Sequence, residues 1–371
     1  MSDSQQKMNK KLTKYAQIPL KQLPNRVWRT YEGGALIDRW KKTSPEIDGN
    51  MPEEWIMSTI TARGKNRPEN EGISLIEIAE GHIPLKDLID SDKESYLGKA
   101  LADKYGTTGV LIKMLDSLER LTIQVHPDKQ YAKTILNSEF GKTESWYVLD
   151  TREINGEKSY VYMGFKKHVT KEIWKLHFEN QNIQGMIDCL HKIEVKAGDA
   201  FMIYGGVPHA IGTGCFLMEV QEPTDYTMRV EKTTPNGLKI GPESIHQDVG
   251  EEKMLECFHY DTYTLDEVLD NWKVTPKVLE STNQFTLRTL FNETHTNCFG
   301  LSELLLNGSH TIKGNDCFYV AVIYSGAGIM ICNGIEYDYT QGDELFISAA
   351  IKEITFSSKT ASKILLCYPP K

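Results

Sequence analysis

From Gly109 onward the chain consists largely of short runs of β-forming residues broken by turn signals, and this pattern restricts the fold more than any other feature. GVLIKMLDS, LTIQVH, SWYVLD and SYVYMGF come first, then IEVKAGDAFMIY, HAIGTGCFLMEVQ and YTMRV. Asn155-Gly156 in EINGEK is a hairpin signal, and a Gly198-Asp199 turn between strands is typical of compact barrels and jelly rolls. A helical interlude, VTKEIWKLHFENQNIQGMIDCLHK, is predicted over about 169–192. The β-texture returns at 284 and runs to the end. There GIMICNGIEYDYTQGDELFI repeats the hairpin, Gly-Asp turn and strand of 192–204. The pattern predicts a mainly β protein with a second, related barrel after the first. No His lies beyond His310, so the second barrel is expected to be structural.

The remaining segments are read more coarsely. Residues 1 to about 14 are polar and are expected to be disordered. Trp28, Tyr31, Leu36 and Trp40 offer an apolar anchor around Gly33-Gly34, and PEEWIMSTI reads as a strand with Trp55, Met57 and Thr59 on one face. Ser74 to Tyr105 has helical spacing interrupted by Pro84, and Gly106 is a helix stop. Residues 232 to 280 hold turns, acidic stretches and a helix near TLDEVLDNW. The connection between domains is placed here, giving a metal-binding unit with helical segments at 15–250 and a β unit without metal ligands at 270–371.

A chain of 371 residues is long enough for two such units. Its net charge of −9 argues against a general nucleic-acid binder, although a few converging cations still permit an anionic small substrate. The seven cysteines are scattered singly without a CxxC, which fits a reducing compartment and excludes a thiolate zinc site. The amino terminus lacks the apolar core of a signal peptide, and no apolar run approaches a membrane span. The expected location is cytoplasmic, with no membrane partner.

The chemistry centres on Leu121 to Trp146. Gln124 and His126 are two apart in a β-run and project from one face. Glu144 comes eighteen residues after His126, about the length of a strand, a connecting helix (DKQYAKTIL) and a return strand. His209 follows in AGDAFMIYGGVPHAIG. Two imidazoles, a carboxylate and an amide oxygen make a shell for a divalent transition metal. Each also has an ordinary reading: a satisfied core histidine, an exposed carboxylate at a strand start, a glutamine bonded to backbone. Lys113 sits inside the apolar run LIKMLD, so it either meets an anion inside or snorkels outward. Lys142 shares strand parity with Glu144. Arg229 follows Asp225 by four residues and could simply pair with it. Glu219 and Gln221 share one face, either behind the metal ligands or at the barrel edge. Lys129 is a helix-start surface lysine or a phosphate contact.

These segments together resemble the type I mannose-6-phosphate isomerases, zinc enzymes of the cupin superfamily, and most of all their short bacterial form. The likeness is carried by VLIKMLDSLERLTIQVHPDKQYA, FGKTESWYVLD, IEVKAGDAFMIYGGVPHAIGTG and FLMEVQEPTDYTMRV over about 108–230, with PEEWIMS before them. Two departures stand out: Glu32-Gly33-Gly34 where the family usually has Trp-Gly-Gly, and VEKTTPNGLK after the arginine. The resemblance implies two cupin-type jelly-roll barrels with a small helical segment packed on the first. It also implies one Zn2+ per chain on Gln124, His126, Glu144 and His209, with Arg229, Lys142 and Lys113 as catalytic residues. The implied reaction interconverts mannose 6-phosphate and fructose 6-phosphate through an enediol(ate), in a monomer or homodimer. Two rivals share the fold: a cupin iron oxygenase, since two His and a carboxylate can hold iron, and a non-catalytic sugar-phosphate-binding cupin.

Overall fold

The computed structural model describes residues 11–64 and 67–371. Most of the tail expected to be disordered lies outside the described residues. Its last part departs from the expectation, because residues 11–13 are helical and Lys14–Gln17 form a 3-10 turn that buries Tyr15 and Ala16.

Two sheets form the first β unit. One has seven strands, in the order Lys273–Val274, Ala200–Ile203, Glu144–Thr151, Cys215–Gln221, Leu111–Asp116, Glu53–Ile56 and Arg26–Val27. The other has six, with Leu190–Glu194, Tyr160–Lys166, His209–Ile211, Gln124–Val125 and Met228–Arg229 in line and Thr262–Tyr263 added beside Tyr160–Lys166. Alternation along the strands puts Trp146, Val148, Phe201 and Leu217 of the seven-stranded sheet against Val161, Met163 and Ile211 of the six-stranded one. Asn155 and Gly156 both have positive φ, 52° and 81°, as the predicted hairpin requires.

A nine-stranded sheet builds the carboxy-terminal unit and recruits Leu20–Lys21 as an edge strand, paired with Phe346 and Leu345. The outer face of the seven-stranded sheet (Met114, Tyr147, Leu149, Met218, Val220) packs on Phe291, Leu301, Val320, Val322 and Leu365 of this unit. Its central strands are therefore buried on both faces, which is why WYVL reads as an unbroken apolar run rather than as alternation. On the other side, helices Lys171–Glu179 and Ile183–Asp188 cover the six-stranded sheet through Trp174, Phe178 and Met186, matching the predicted interlude.

Three segments differ from expectation. Residues 74–84 are not helical: Leu75–Ile78 and Gly81–Pro84 pair as a hairpin, and Pro84 caps the helix Leu85–Ser91 instead of interrupting one. Only Gln124–Val125 of LTIQVH is paired strand. The strand in PEEWIMSTI stops at Ile56, because Met57 turns to φ 50°. Residues 232–280 contain helices Pro242–His246, Glu251–Glu256 and Leu265–Trp272, the last matching the helix predicted in TLDEVLDNW and opened by a Thr264–Glu267 capping box. Lys273–Val274 then closes onto Phe201 and Ala200 before the chain enters the nine-stranded sheet at Lys277. No helix among the described residues is long and apolar enough to cross a membrane.

The two units are also tied by polar contacts. Tyr147 Oη donates to Glu303 Oε1 at 2.7 Å, and the fully buried Glu303 also meets Arg288 and Lys363. Tyr147→Phe removes a buried hydrogen bond to a charged acceptor. Urea unfolding should show a loss of about 1.5–3 kcal/mol; an unchanged midpoint would mean the link carries no stability.

Candidate active site

Strand register gathers the predicted metal ligands at one point inside the first unit. His209 lies directly opposite Gln124, Gln124 opposite Arg229, and Glu144 opposite Ile203 and Gln221. His126 follows its strand immediately, and the Pro127-Asp128 segment after it is held by two close approaches. A Cβ on Gly141 would lie 2.7 Å from the Pro127 carbonyl oxygen, and one on Gly205 would lie 2.5 Å from Asp128 Cα. Only glycine lets the backbones before Glu144 and before His209 come this near to the histidine turn.

His126 Nε2 stands 3.0 Å from Glu144 Oε2, and His209 Nε2 stands 3.5 Å from Glu144 Oε1. One ligand atom from each of the three residues lies within 4.8 Å of the others, and all three are buried. The tautomers follow from the other ring nitrogens: His126 Nδ1 donates to the Tyr226 carbonyl at 3.0 Å, and His209 Nδ1 to the Val207 carbonyl at 2.8 Å. Burial, then Lys142, drives His126 far below the usual histidine range. Burial also lowers His209, against the pull of Glu144.

Two neutral imidazoles therefore turn lone pairs toward a carboxylate that also offers only lone pairs. Among the described residues, His126 Nε2 and Glu144 Oε2 have no hydrogen-bond partner. A cation between them satisfies every one of these atoms, and a His-His-carboxylate donor set suits a divalent transition ion. Gln124 Nε2 lies 3.3 Å from His209 Nε2; an amide rotated by half a turn directs its oxygen to the same place. Trp146 Nε1 donates to Glu144 Oε1 at 3.0 Å and so orients the carboxylate.

A cavity of about 760 Å3 opens beside this cluster, and Gln124, Lys113, Lys142, Glu219 and Arg229 line it. Lys113 faces inward and meets the anions that an interior lysine requires: Glu219 at 2.8 Å and Glu53 at 3.7 Å. Burial opposes its charge, but Glu219 and then Glu53 outweigh burial and raise its pKa. Lys142, 3.4 Å from Glu144 Oε2, goes the other way: burial, with Lys113 adding to it, outweighs Glu144 and lowers its pKa. Burial lowers Arg229 to about 10, with Asp225 opposing and Arg29 assisting.

Arg229 does not form the pair with Asp225 that its spacing allowed. Its Nη1 donates to the Ser244 and Thr227 carbonyls, while Asp225 pairs with Arg29 at 3.3 Å. Glu219 points inward with Lys113, and Gln221 is fully buried with its amide tied to the Glu222 and Thr224 carbonyls. Lys129 is an exposed lysine of the helix Lys129–Ile135, 3.6 Å from Glu222, and does not line the large cavity.

Several site residues were not legible from sequence spacing. Arg29 bonds Glu53 at 2.9 Å; burial would raise Glu53, but Arg29 and then Lys113 bring it down to about 2. Arg63 lays its guanidinium 4.7 Å from the Tyr226 ring centre and donates Nε to Gln247 at 2.9 Å. The only early hint was PEEWIMS, whose strand places Glu53 on the cavity wall.

The arrangement makes two predictions. His126→Ala or Glu144→Ala should strip divalent metal from the folded protein, as read by elemental analysis after dialysis. Gly205→Ala, which touches no ligand, should weaken metal affinity by on the order of 10-fold through displacement of His126; unchanged affinity would show that the close approach does not position the site.

Comparisons with known proteins agree with this geometry. Residues 21–153 match the family described as "Phosphomannose isomerase type I, catalytic domain". The chain is 28% identical over 249 residues to "Probable mannose-6-phosphate isomerase GmuF" of Bacillus subtilis (strain 168), covering 66% of this chain and 71% of that protein. It is 25% identical over 288 residues to mannose-6-phosphate isomerase ManA of the same organism, covering 76% and 78%. The fold matches the crystal structure of the mannose 6-phosphate isomerase from Bacillus subtilis with a TM-score of 0.71 at 21% identity, over 94% of this chain and 99% of that one. The family match over residues 21–153, the named relatives and the shared fold thus all liken the chain to the type I phosphomannose isomerases.

Proposed function

We propose that this chain interconverts mannose 6-phosphate and fructose 6-phosphate, using one Zn2+ held by Gln124, His126, Glu144 and His209. The observation that carries the reading is the set of unsatisfied lone pairs on His126 and Glu144 beside a cavity rich in cations. Bound there, zinc would supply Lewis acidity toward the sugar oxygens and help orient the open chain. The catalytic unit of this reading is 15–250; residues 270–371 supply no ligand and cover the back of the seven-stranded sheet.

The isomerisation moves a proton from carbon 2 of the aldose to carbon 1 of the ketose, so it needs a group that is neutral part of the time. The two buried lysines divide the work according to their surroundings. Lys113 is held cationic by Glu219 and Glu53 and stabilises negative charge on the enediol(ate). Lys142, whose pKa burial lowers, carries the proton. Arg229 stays charged at any working pH and faces the developing charge without a carboxylate partner among the described residues.

Arg63 lines the same cavity, restrained by Tyr226 and Gln247 and likewise without a carboxylate ion pair among the described residues. We assign it to the phosphate end of the substrate, where a charge-assisted contact would hold the anion. The lysine and arginine set does not favour an oxygenase, and a bare sugar-phosphate sensor has no use for a proton carrier. The free state of all seven cysteines accords with a cytoplasmic monomer or homodimer.

Zinc-loaded protein in deuterated water should exchange deuterium into both sugar phosphates, and chelation should abolish the exchange. Absence of exchange in metal-replete protein would end the proposal. Arg63→Ala should raise KM for mannose 6-phosphate by roughly 10-fold with kcat little changed, consistent with loss of a charge-assisted contact used equally in ground and transition states.

A further inference from the structure

We infer that one proton, shared between Glu54 and Glu344, closes the junction between the two β units, and that alkaline pH loosens this junction by removing it. Glu54 lies on Glu53–Ile56 of the seven-stranded sheet, and Glu344 opens Glu344–Ile347 of the nine-stranded sheet. Their residue exposures are 0% and 1%, so water does not reach either carboxyl group.

A single ammonium serves both. Lys41, the last residue of the helix Ala35–Lys41, lies 2.8 Å from Glu344 Oε2 and 3.7 Å from Glu54 Oε1. Gln22 Nε2 donates to the same Glu344 Oε2 at 3.0 Å, and the Asn25 backbone N–H donates to the same Glu54 Oε1 at 2.8 Å. All the donors thus gather on one oxygen of each carboxyl group. The other two oxygens, Glu54 Oε2 and Glu344 Oε1, are buried and have no hydrogen-bond partner among the described residues.

The charges do not balance without a proton. Two carboxylates and one ammonium leave a buried net negative charge, which is costly in a dry interface. Among the described residues the surrounding elements bring no spare cation: Lys21 is engaged by Asp343 at 2.5 Å and Arg26 by Asp38 at 2.7 Å. One proton on the pair cancels the excess charge and supplies the missing donor. The electrostatics agree. Burial raises Glu344 to about 8, with Lys41 opposing and Glu54 adding to the rise, and burial raises Glu54 as well.

The sign follows from linkage. The folded state keeps a proton that the unfolded chain releases above its ordinary carboxyl pKa. The stabilising contribution is therefore full below that value and is lost as pH rises through about 8. Glu53, adjacent to Glu54 in the same strand, belongs to the cavity instead, where it ion-pairs with Arg29 at 2.9 Å and lies 3.7 Å from Lys113.

The test uses the full chain, with Glu344→Gln and Glu54→Gln as separate variants; either amide supplies an N–H where the proton stood. Between about pH 6 and about pH 9 the Tm of the wild type should fall by on the order of 5 °C more than that of either variant. Infrared difference spectra should show a protonated-carboxyl C=O band in the wild type at neutral pH that disappears on alkalinisation and is absent from both variants. Equal pH slopes in all three proteins, or no such band in the wild type, would overturn the inference. If one variant fails to fold, the other and the infrared measurement on wild-type protein still decide it.

Discussion

The structure of the site depends on lone pairs that face each other with no proton between them. His126 and His209 each give their only ring proton to a backbone carbonyl, so both Nε2 atoms turn electron pairs toward Glu144. In water such atoms would be hydrated. Here the barrel interior excludes water and burial disfavours the imidazolium, so the arrangement is complete only with a cation. The rest of the first unit holds these atoms in place: the register of three strands, the Trp146 indole on Glu144 and the glycines that let the backbone turn close around His126.

The same low-dielectric surroundings separate two lysines of one chemical type. Lys113 and Lys142 are both buried, and desolvation acts against the charge of each. Two carboxylates accompany Lys113, whereas the nearest one to Lys142 is itself positioned to hold a metal. The pKa of one is thereby raised and that of the other lowered. A cavity lined by several cations inside a chain of net charge −9 shows how little overall charge says about a local field.

The seven-stranded sheet is the shared wall of the molecule. Its inner face carries Lys113, Glu144, Trp146 and Glu219, while its outer face packs on the carboxy-terminal unit through Met114, Tyr147, Met218 and Val220. The second unit has no part in the metal cluster, yet it buries the back of the strands that set the ligand register. Glu53 and Glu54 express this double role in adjacent residues, one toward the cavity and the other toward the junction.

The sequence by itself determined the β-rich two-barrel architecture and the main polar residues of the centre. Period-two patterning, turn residues and family motifs are local signals, and Gln124, His126, Glu144 and His209 stand within them. It did not determine the hairpin at 74–84, where a short half-buried run carries too few residues to separate a period of two from one of 3.6. Partner choice was likewise undetermined. Arg229 and Asp225 sit four apart, yet Asp225 bonds Arg29, some two hundred positions away in the chain. Nor could spacing reveal Lys41 between Glu54 and Glu344, or that the pKa values of Lys113 and Lys142 shift in opposite directions. Those outcomes depend on desolvation and on charges brought together from distant strands, and such quantities exist only once the sheets have closed on one another.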